Sequence, residues 1–435
     1  MVPSAGAKTS DRLLSLDVFR GATIAGMMLV NNPGSWGHIY APWKHKPWDG
    51  WTYTDTVFPF FLWIVGVAMM LSFAKRVERG EDKKMLAWHV VWRAGVIFFL
   101  GLFLAGVPHL SLFFFWVAGL TYILVLIRRT LAPRHGEPVH PRSRAYVLGA
   151  VGVVLACIPV IFPELLQTAG LNTIRIPGVL QRIAVCYLIA GLLVLYTSTR
   201  TQIGITFALL ALYWIVIETV NVPGYGVGIW EARGNLAWYI DANLLKGHTW
   251  RGAPVPGFDP EGIFSTIPAI ATAMFGVFTG AWLRTENSKE VKTAWMFVAG
   301  NILLLIGLIM DNWLPINKPL WTSTYAVFMA GLALNVLACC YWILDVKGWR
   351  GWEKPFAIYG QNAITMFVLS GVFGRLFGMK LFGAETSFKA WYYEHGFLAL
   401  FGDPMIASFA HSVAFMLFLY CIAHFMHRMK WIVKV

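Results

Sequence analysis

Charge is scarce in this chain. Asp, Glu, Lys and Arg make up 13% of its 435 residues while 57% are hydrophobic, too little charge to cover the surface of a water-soluble globule. The alternating strands of a barrel are missing as well. The apolar runs are instead continuous and about as long as the 20 residues a helix needs to cross a ~30 Å hydrocarbon layer. No fixed-period repeat and no matching halves are visible, which disfavours an inverted-repeat transporter. Gly-rich phosphate cradles are lacking, so any phosphorylated ligand must be held by Arg and Lys at helix ends. The five cysteines (Cys157, Cys186, Cys339, Cys340, Cys421) sit inside apolar runs without zinc or disulfide spacing and read as packing residues. No metal is expected, since His38 and His45 lack tight spacing and a third ligand.

What is present reads as an all-α, polytopic integral membrane protein. Spans are predicted at Leu14–Asn32, Asp55–Ala74, Trp88–Val107, Ser111–Ile127, Tyr146–Phe162 and Gly178–Tyr196. Six more follow at Gly204–Val220, Gly262–Leu283, Ala294–Met310, Thr322–Val346, Ala357–Phe377 and Pro404–Phe425, about twelve transmembrane helices in one domain over residues 1–435. The net charge of +13 does not point to nucleic acid, because the basic residues collect in alternate short loops. Lys75, Arg76 and Arg79, Arg128 and Arg129, Arg284 and Lys289, and Lys347 and Arg350 mark one side, predicted to be cytoplasmic together with both termini. The other side carries the Trp- and Pro-rich stretch 33–54 and the long loop 221–261, rich in aromatic, Gly and Pro residues. Lys8 and Arg12 precede the first span as in a signal peptide, but Asp17 and Arg20 lie inside it and no small-residue cleavage site follows, so a retained helix is expected.

That first helix carries a polar strip. Asp17 and Arg20 are spaced i, i+3 and can meet on one face. Asn31 lies eleven residues beyond Arg20, which returns to within about 20° of the same face, about 16 Å farther along. A charge at membrane depth costs at least ~2.5 kcal/mol, so the pair faces a polar cavity or partner, or forms a structural pair near the interface with Arg20 snorkelling. His45 follows in WKHKPWDGWTYTDTVFPFF, where a cavity-rim imidazole can take a proton from an attacking amine or hydroxyl. Asp55, ten residues later, either orients that imidazole or caps the second helix.

Further polar groups cluster at the same predicted side: Arg175, Gln181 and Arg182 in RIPGVLQR, Asp259 and Glu261 in FDPEG, and Asn317 and Lys318 in PINKPLW. Asn362, in YGQNA, opens another helix. Carboxylates, amides and an ammonium around one cavity suit a hydroxyl-rich, amine-bearing ligand such as a sugar, with Trp faces for stacking, although each motif alone also suits capping or turn chemistry.

RLLSLDVFRG, KHKPWDG with DTVFPFF, RIPGVLQR, FDPEGIFSTI, LPINKPLW and YGQNAI, in this order across most of the chain, resemble the heparan-α-glucosaminide N-acetyltransferase family of membrane enzymes, including bacterial members without the large luminal domain. More distantly, Arg20, ten intervening residues and Asn31 resemble the Arg-x10-His signature of a broader transmembrane acyltransferase superfamily, with Asn in place of His. The resemblance implies that His45 is the catalytic histidine, with Asn31 as companion and Asp55 as its tuner. It also implies that cytosolic acetyl-CoA supplies acetyl to an amino sugar on the noncytoplasmic side, which for a bacterial inner membrane is the periplasm. Arg20, Arg93 and Arg182, with Gln181, are the expected contacts of the CoA phosphates, and Asp259, Glu261, Asn317, Lys318 and Asn362 those of the acceptor. Asp17 is expected to tune or hold the first helix. The stretch 111–162 is an extra hairpin relative to the family, serving as a peripheral element or a contact between copies in a homo-oligomer. Without the luminal domain, heparan sulfate itself is not carried over as substrate. A sugar transporter and an O-acyltransferase of polysaccharide stay open as alternatives.

Overall fold

The computed structural model describes residues 13–107, 173–380 and 385–433. The described residues are helical, with β pairing confined to isolated bridges such as Asp49 with Asn317. In chain order the main helices are α1 (Leu14–Asn31), α2 (Tyr53–Glu78), α3 (Lys83–Gly106), α4 (Val179–Tyr196), α5 (Thr199–Thr219) and α6 (Leu236–Leu245). They continue with α7 (Thr266–Leu283), α8 (Lys289–Met310), α9 (Ser323–Tyr341), α10 (Lys354–Gln361), α11 (Ala363–Phe377) and α12 (Pro404–Arg428). The expected hairpin 111–162 lies outside the described residues.

Among the described residues, eight helices are long and apolar enough to cross a membrane. The exposed faces of α5 and α8 are themselves apolar, with Phe207, Leu212 and Ile215 on one and Trp295, Ile302 and Leu305 on the other. Such faces require an apolar surround, and together with the eight helices they support an integral membrane protein. The first helix is not among the eight, since Asp17, Arg20 and Asn31 dilute its apolarity. It is nevertheless the central one, buried along most of its length and packed against α2, α9, α10, α11 and α12.

The span expected to run unbroken from Ala357 to Phe377 is instead two helices, α10 and α11, bent by 84° at Asn362. Gly360, just before the break, is pressed on the backbone of α1. A methyl group there would overlap the Asp17 carbonyl oxygen, and one at Gly21 would overlap the Phe356 carbonyl oxygen. Close backbone contact of this kind is how small residues drive helix packing in lipid. The core between α1, α2, α7 and α9 is filled by Met28, Leu62, Met274 and Tyr325, all fully buried.

The loop 221–261 contains the short helix α6 and folds over one end of the bundle. Its apolar cluster joins Tyr213, Ile217, Val222, Leu236, Phe258 and Leu320. Trp48, from the loop before α2, packs on Phe258 with ring centres 5.5 Å apart and donates to the Trp230 carbonyl at 2.9 Å. This lid and the loops 32–52 and 311–322 therefore form one cap over the end of α1 that carries Asn31.

Candidate active site

The site grows from the start of α2. One carboxylate oxygen of Asp55, Oδ2, accepts from the backbone N–H of Thr52 at 3.0 Å and of Lys46 at 3.1 Å, and from the Thr52 hydroxyl at 3.0 Å. Oδ1 lies 2.6 Å from His45 Nδ1. The two roles read for Asp55 thus coexist: one oxygen closes the helix entrance as in a capping box and the other holds the imidazole. A proton on Nδ1 satisfies the short contact to the ionised carboxylate and leaves Nε2 as an acceptor. Asp55 is 1% exposed, whereas the His45 side chain is 49% exposed, so the carboxylate is sheltered and the ring is open.

Lys318 is brought to this pair by a loop clamp. Gly50 N–H donates to the Ile316 carbonyl at 2.7 Å, and Asn317 Nδ2 donates to Asp49 Oδ1 at 3.0 Å. Asn317 Oδ1 accepts from Leu320 N–H at 2.8 Å. Lys318 Nζ then rests 3.0 Å from His45 Nδ1 and 3.4 Å from Asp55 Oδ1. With the Nδ1–H donating to the ionised Asp55, the ammonium serves as a second counter-charge to the carboxylate and lies beside the ring.

A second cluster forms the opposite wall. Arg175 grips Asp259 in a two-pronged arrangement, Nε to Oδ2 at 2.9 Å and Nη2 to Oδ1 at 2.6 Å, and also pairs with Glu261. Asp259 further accepts from Trp250 N–H at 2.8 Å and Glu261 N–H at 2.9 Å, which uses its acceptor capacity. Burial alone pushes the Glu261 carboxyl upward, but Arg175, Arg182 and Lys318 outweigh it and hold Glu261 below the usual carboxylate range. The Arg175 guanidinium is correspondingly held above its ordinary value: burial opposes its charge, and Glu261 and Asp259 overcome that.

Between these walls lies a cavity of about 550 Å³. His45, Asp55, Lys318 and Glu261 face it from the capped end, and Met27, Val57, Phe58, Phe61 and Phe367 line its deeper part. Asn31 also lines it, and its amide has no hydrogen-bond partner among the described residues. A free amide beside an apolar pocket and an oriented imidazole can stabilise a developing oxyanion while the imidazole takes a proton.

Several residues read from the sequence as ligand contacts lie elsewhere. Asn317 is wholly buried in the loop clamp, and Asp259 is saturated by Arg175 and backbone groups; both shape the wall behind the cavity rather than line it. Asn362 sits at the far end of the bundle, where Nδ2 donates to the Trp431 carbonyl and Oδ1 accepts from Val433 N–H, each at 2.9 Å, clasping the segment after α12. Arg182, expected near a cofactor phosphate, is 2% exposed and lies at the His45 end. Its Nη2 donates to the Gly262 carbonyl at 3.0 Å and to Ser265 Oγ, with the guanidinium stacked 5.1 Å from the Trp321 ring centre. Arg93 stacks on Tyr187 at 5.0 Å, Arg20 binds Asp17 at 3.2 Å and the Gly360 carbonyl at 3.4 Å, and Gln181 lines a second cavity. These four do not converge. Trp250, which lines both cavities, was missed as a site residue; Arg175, which lines both as well, was read only as one of the polar groups of RIPGVLQR, without a role. The signal for the role of Arg175 is an arginine before a Pro-Gly pair at the mouth of an apolar span, with a DPE segment to neutralise it.

Among the described residues, no group of three His, Cys, Asp or Glu side chains is placed to hold a metal ion. No protein-family model matches the chain. The human heparan-alpha-glucosaminide N-acetyltransferase is 27% identical to it over 84% of this chain and 54% of the relative, and the mouse protein of the same name is 26% identical over the same shares. The chain thus spans about half the length of the curated relatives it matches. Over 84% of its residues, the chain is thus similar to two heparan-alpha-glucosaminide N-acetyltransferases.

Proposed function

We propose that the chain is a transmembrane N-acetyltransferase that moves an acetyl group from acetyl-CoA to the amine of a glucosamine-type sugar. The observation that carries this reading is the shared cavity: His45, anchored through Nδ1 on Asp55, faces the same space as the unpartnered amide of Asn31. The neutral amine attacks the thioester carbonyl, forming the C–N bond as the C–S bond breaks. His45 Nε2 accepts the proton lost by nitrogen and passes it to the departing sulfur, so the products are an amide and free CoA. Asn31 Nδ2 donates to the carbonyl oxygen as it gains charge.

The lining supports the division of the cavity between the two substrates. Met27, Val57, Phe58, Phe61 and Phe367 suit the thin pantetheine arm and acetyl methyl, arriving along α1 from the cytoplasmic side. Glu261 and Lys318 suit the hydroxyls of a sugar entering from the other side, the periplasm of a bacterial inner membrane.

Purified chain incubated with labelled acetyl-CoA and glucosamine is expected to yield labelled N-acetylglucosamine. A His45→Ala variant that turns over as fast as the wild type would overturn the assignment.

A further inference from the structure

The helices α7 and α8 follow one another in the chain yet barely touch, because α7 packs on α2 and α8 on α9. A groove of about 310 Å³ is left between them, sharing no residue with the cavity at His45. Its walls are Phe275, Phe278 and Trp282 from α7 and Met296, Ala299 and Leu303 from α8. Thr279, which also lines it, donates its hydroxyl back to the Phe275 carbonyl at 3.0 Å, so the lining needs no polar partner. Trp282 closes one end, its Nε1 donating to the Lys292 carbonyl at 3.2 Å. Lys292 stands four, seven and eleven residues before Met296, Ala299 and Leu303, so its ammonium stem rises from the stripe of α8 that lines the groove. Neighbouring charges are already answered. Arg284 pairs with Glu78, Lys289 Nζ donates to the Asp345 carbonyl at 2.9 Å, and Glu290 lies in the field of Lys289 and Lys347. Glu286 is exposed in the connection 284–288. Lys292 itself forms no ion pair among the described residues.

We propose that this groove binds one acyl chain of an acidic membrane glycerophospholipid, whose phosphate meets Lys292. The run from Met296 to Leu303 gives it about 10 Å along the helix, a stretch that a chain of methylenes can follow. A helix is 10–12 Å across with its side chains, too wide to wedge beside Trp282, where the connection 284–288 and the Trp282–Lys292 bond hold α7 and α8 together. Trp282 and Trp295, both lining the groove at its Lys292 end, suit the headgroup level of a bilayer, and a lysine stem there carries its charge out to the phosphates. Acidity follows from the lone ammonium: a zwitterionic headgroup brings its own cation, whereas an acidic one leaves a negative charge for Lys292 to meet. Once seated, the chain fills the gap between two spans that otherwise lack contact, and so braces α8 against α7.

The test adds phosphatidylglycerol or phosphatidylcholine with identical acyl chains to the delipidated, detergent-purified chain, reading melting temperature and, by native mass spectrometry, the lipid retained. The wild type is expected to gain more from phosphatidylglycerol and to retain it at lower concentration. In Lys292→Gln the affinity for phosphatidylglycerol should fall about fivefold while that for phosphatidylcholine holds. Lys354→Gln, at the start of α10 and outside the groove, should keep the wild-type preference. Ala299→Phe, which fills the groove, should lose the response to phosphatidylglycerol. Equal response of the wild type to the two lipids overturns the proposal even if Ala299→Phe does not fold. An undiminished preference in Lys292→Gln, or an equal loss in Lys354→Gln, overturns it as well. If Ala299→Phe keeps its lipid response but changes the mass of the assembly, the groove is a seat for a second copy of the chain and the lipid site is overturned.

Discussion

Asp55 holds His45 with one carboxylate oxygen and the first turn of α2 with the other, so the orientation of the imidazole is tied to the helix itself. In Asp55→Asn, the amide can present its NH2 to Nδ1 and select the opposite tautomer. The acetyl-transfer rate is expected to fall by about 10²-fold or more, with little loss of melting temperature. Asp55→Ala should lose the rate and also about 0.5–2 kcal/mol of cap stabilisation. Wild-type turnover in Asp55→Asn would remove the orienting role.

Lys318 owes its place to Asn317, and the two substitutions should separate accordingly. Lys318→Met is expected to slow turnover at near-normal stability. Asn317→Ala strands the buried Leu320 N–H and removes the bond to Asp49, costing about 1–3 kcal/mol, and slows turnover because the loop clamp no longer delivers Lys318. Denaturation midpoints measured beside initial rates check both; a stable, fully active Asn317→Ala would rule the clamp out.

A buried carboxylate gives the lid a pH dependence. Burial pushes Asp241 in α6 up to about 7. The folded chain then keeps this proton across a window, from the ordinary carboxylate value of about 4 up to about 7, in which the unfolded chain has released it. Stability therefore falls as pH rises through that window. Melting temperature is expected to decline from pH 5 to pH 8 in the wild type and less so in Asp241→Asn. Parallel curves would show that Asp241 does not couple folding to pH.

Binding of CoA separates the enzyme from a sugar transporter, the strongest alternative reading of the same polar residues. CoA at 100 times its Kd should stabilise the chain by about 2.7 kcal/mol, and a transporter has no reason to respond. Absence of any shift up to millimolar CoA would count against the transferase.

Gly360→Ala tests the seam between α1 and α10. The added methyl meets the Asp17 carbonyl oxygen, a backbone atom that cannot swing aside. A loss of about 1–3 kcal/mol, the usual cost of overpacking, is expected in thermal unfolding, and a neutral result would mean the two helices can separate freely.

Length and apolarity made most of the helices legible in the sequence, because a membrane span leaves a long, uninterrupted signal. The break at Asn362 was hidden for the same reason: apolar residues flank it on both sides, and only the Gly-Gln-Asn run hints at it. His45, Asn31, Glu261 and Lys318 could be read as one polar group, since ionisable and strongly polar residues near membrane depth are rare enough to stand out. Asp259, Asn317 and Asn362 show the limit of that reading. A carboxylate or amide that saturates a loop has the same sequence signature as one facing a ligand, and only the partners in space tell them apart. Arg375 and Lys389 line the second cavity together with Arg175 and Arg251, yet in the sequence each is a single basic residue that looks like an interfacial anchor.

The clasp of Asn362 on Trp431 and Val433 has a consequence for assembly. Synthesis runs from the N-terminus, so α1, α2 and the loop bearing His45 are made long before the residues that fasten the bend between α10 and α11. Until Val433 has emerged, the nascent bundle lacks that latch, and its central helix is packed against a bend that is not yet secured. The bend between α10 and α11 is therefore fastened only after every described helix has been made.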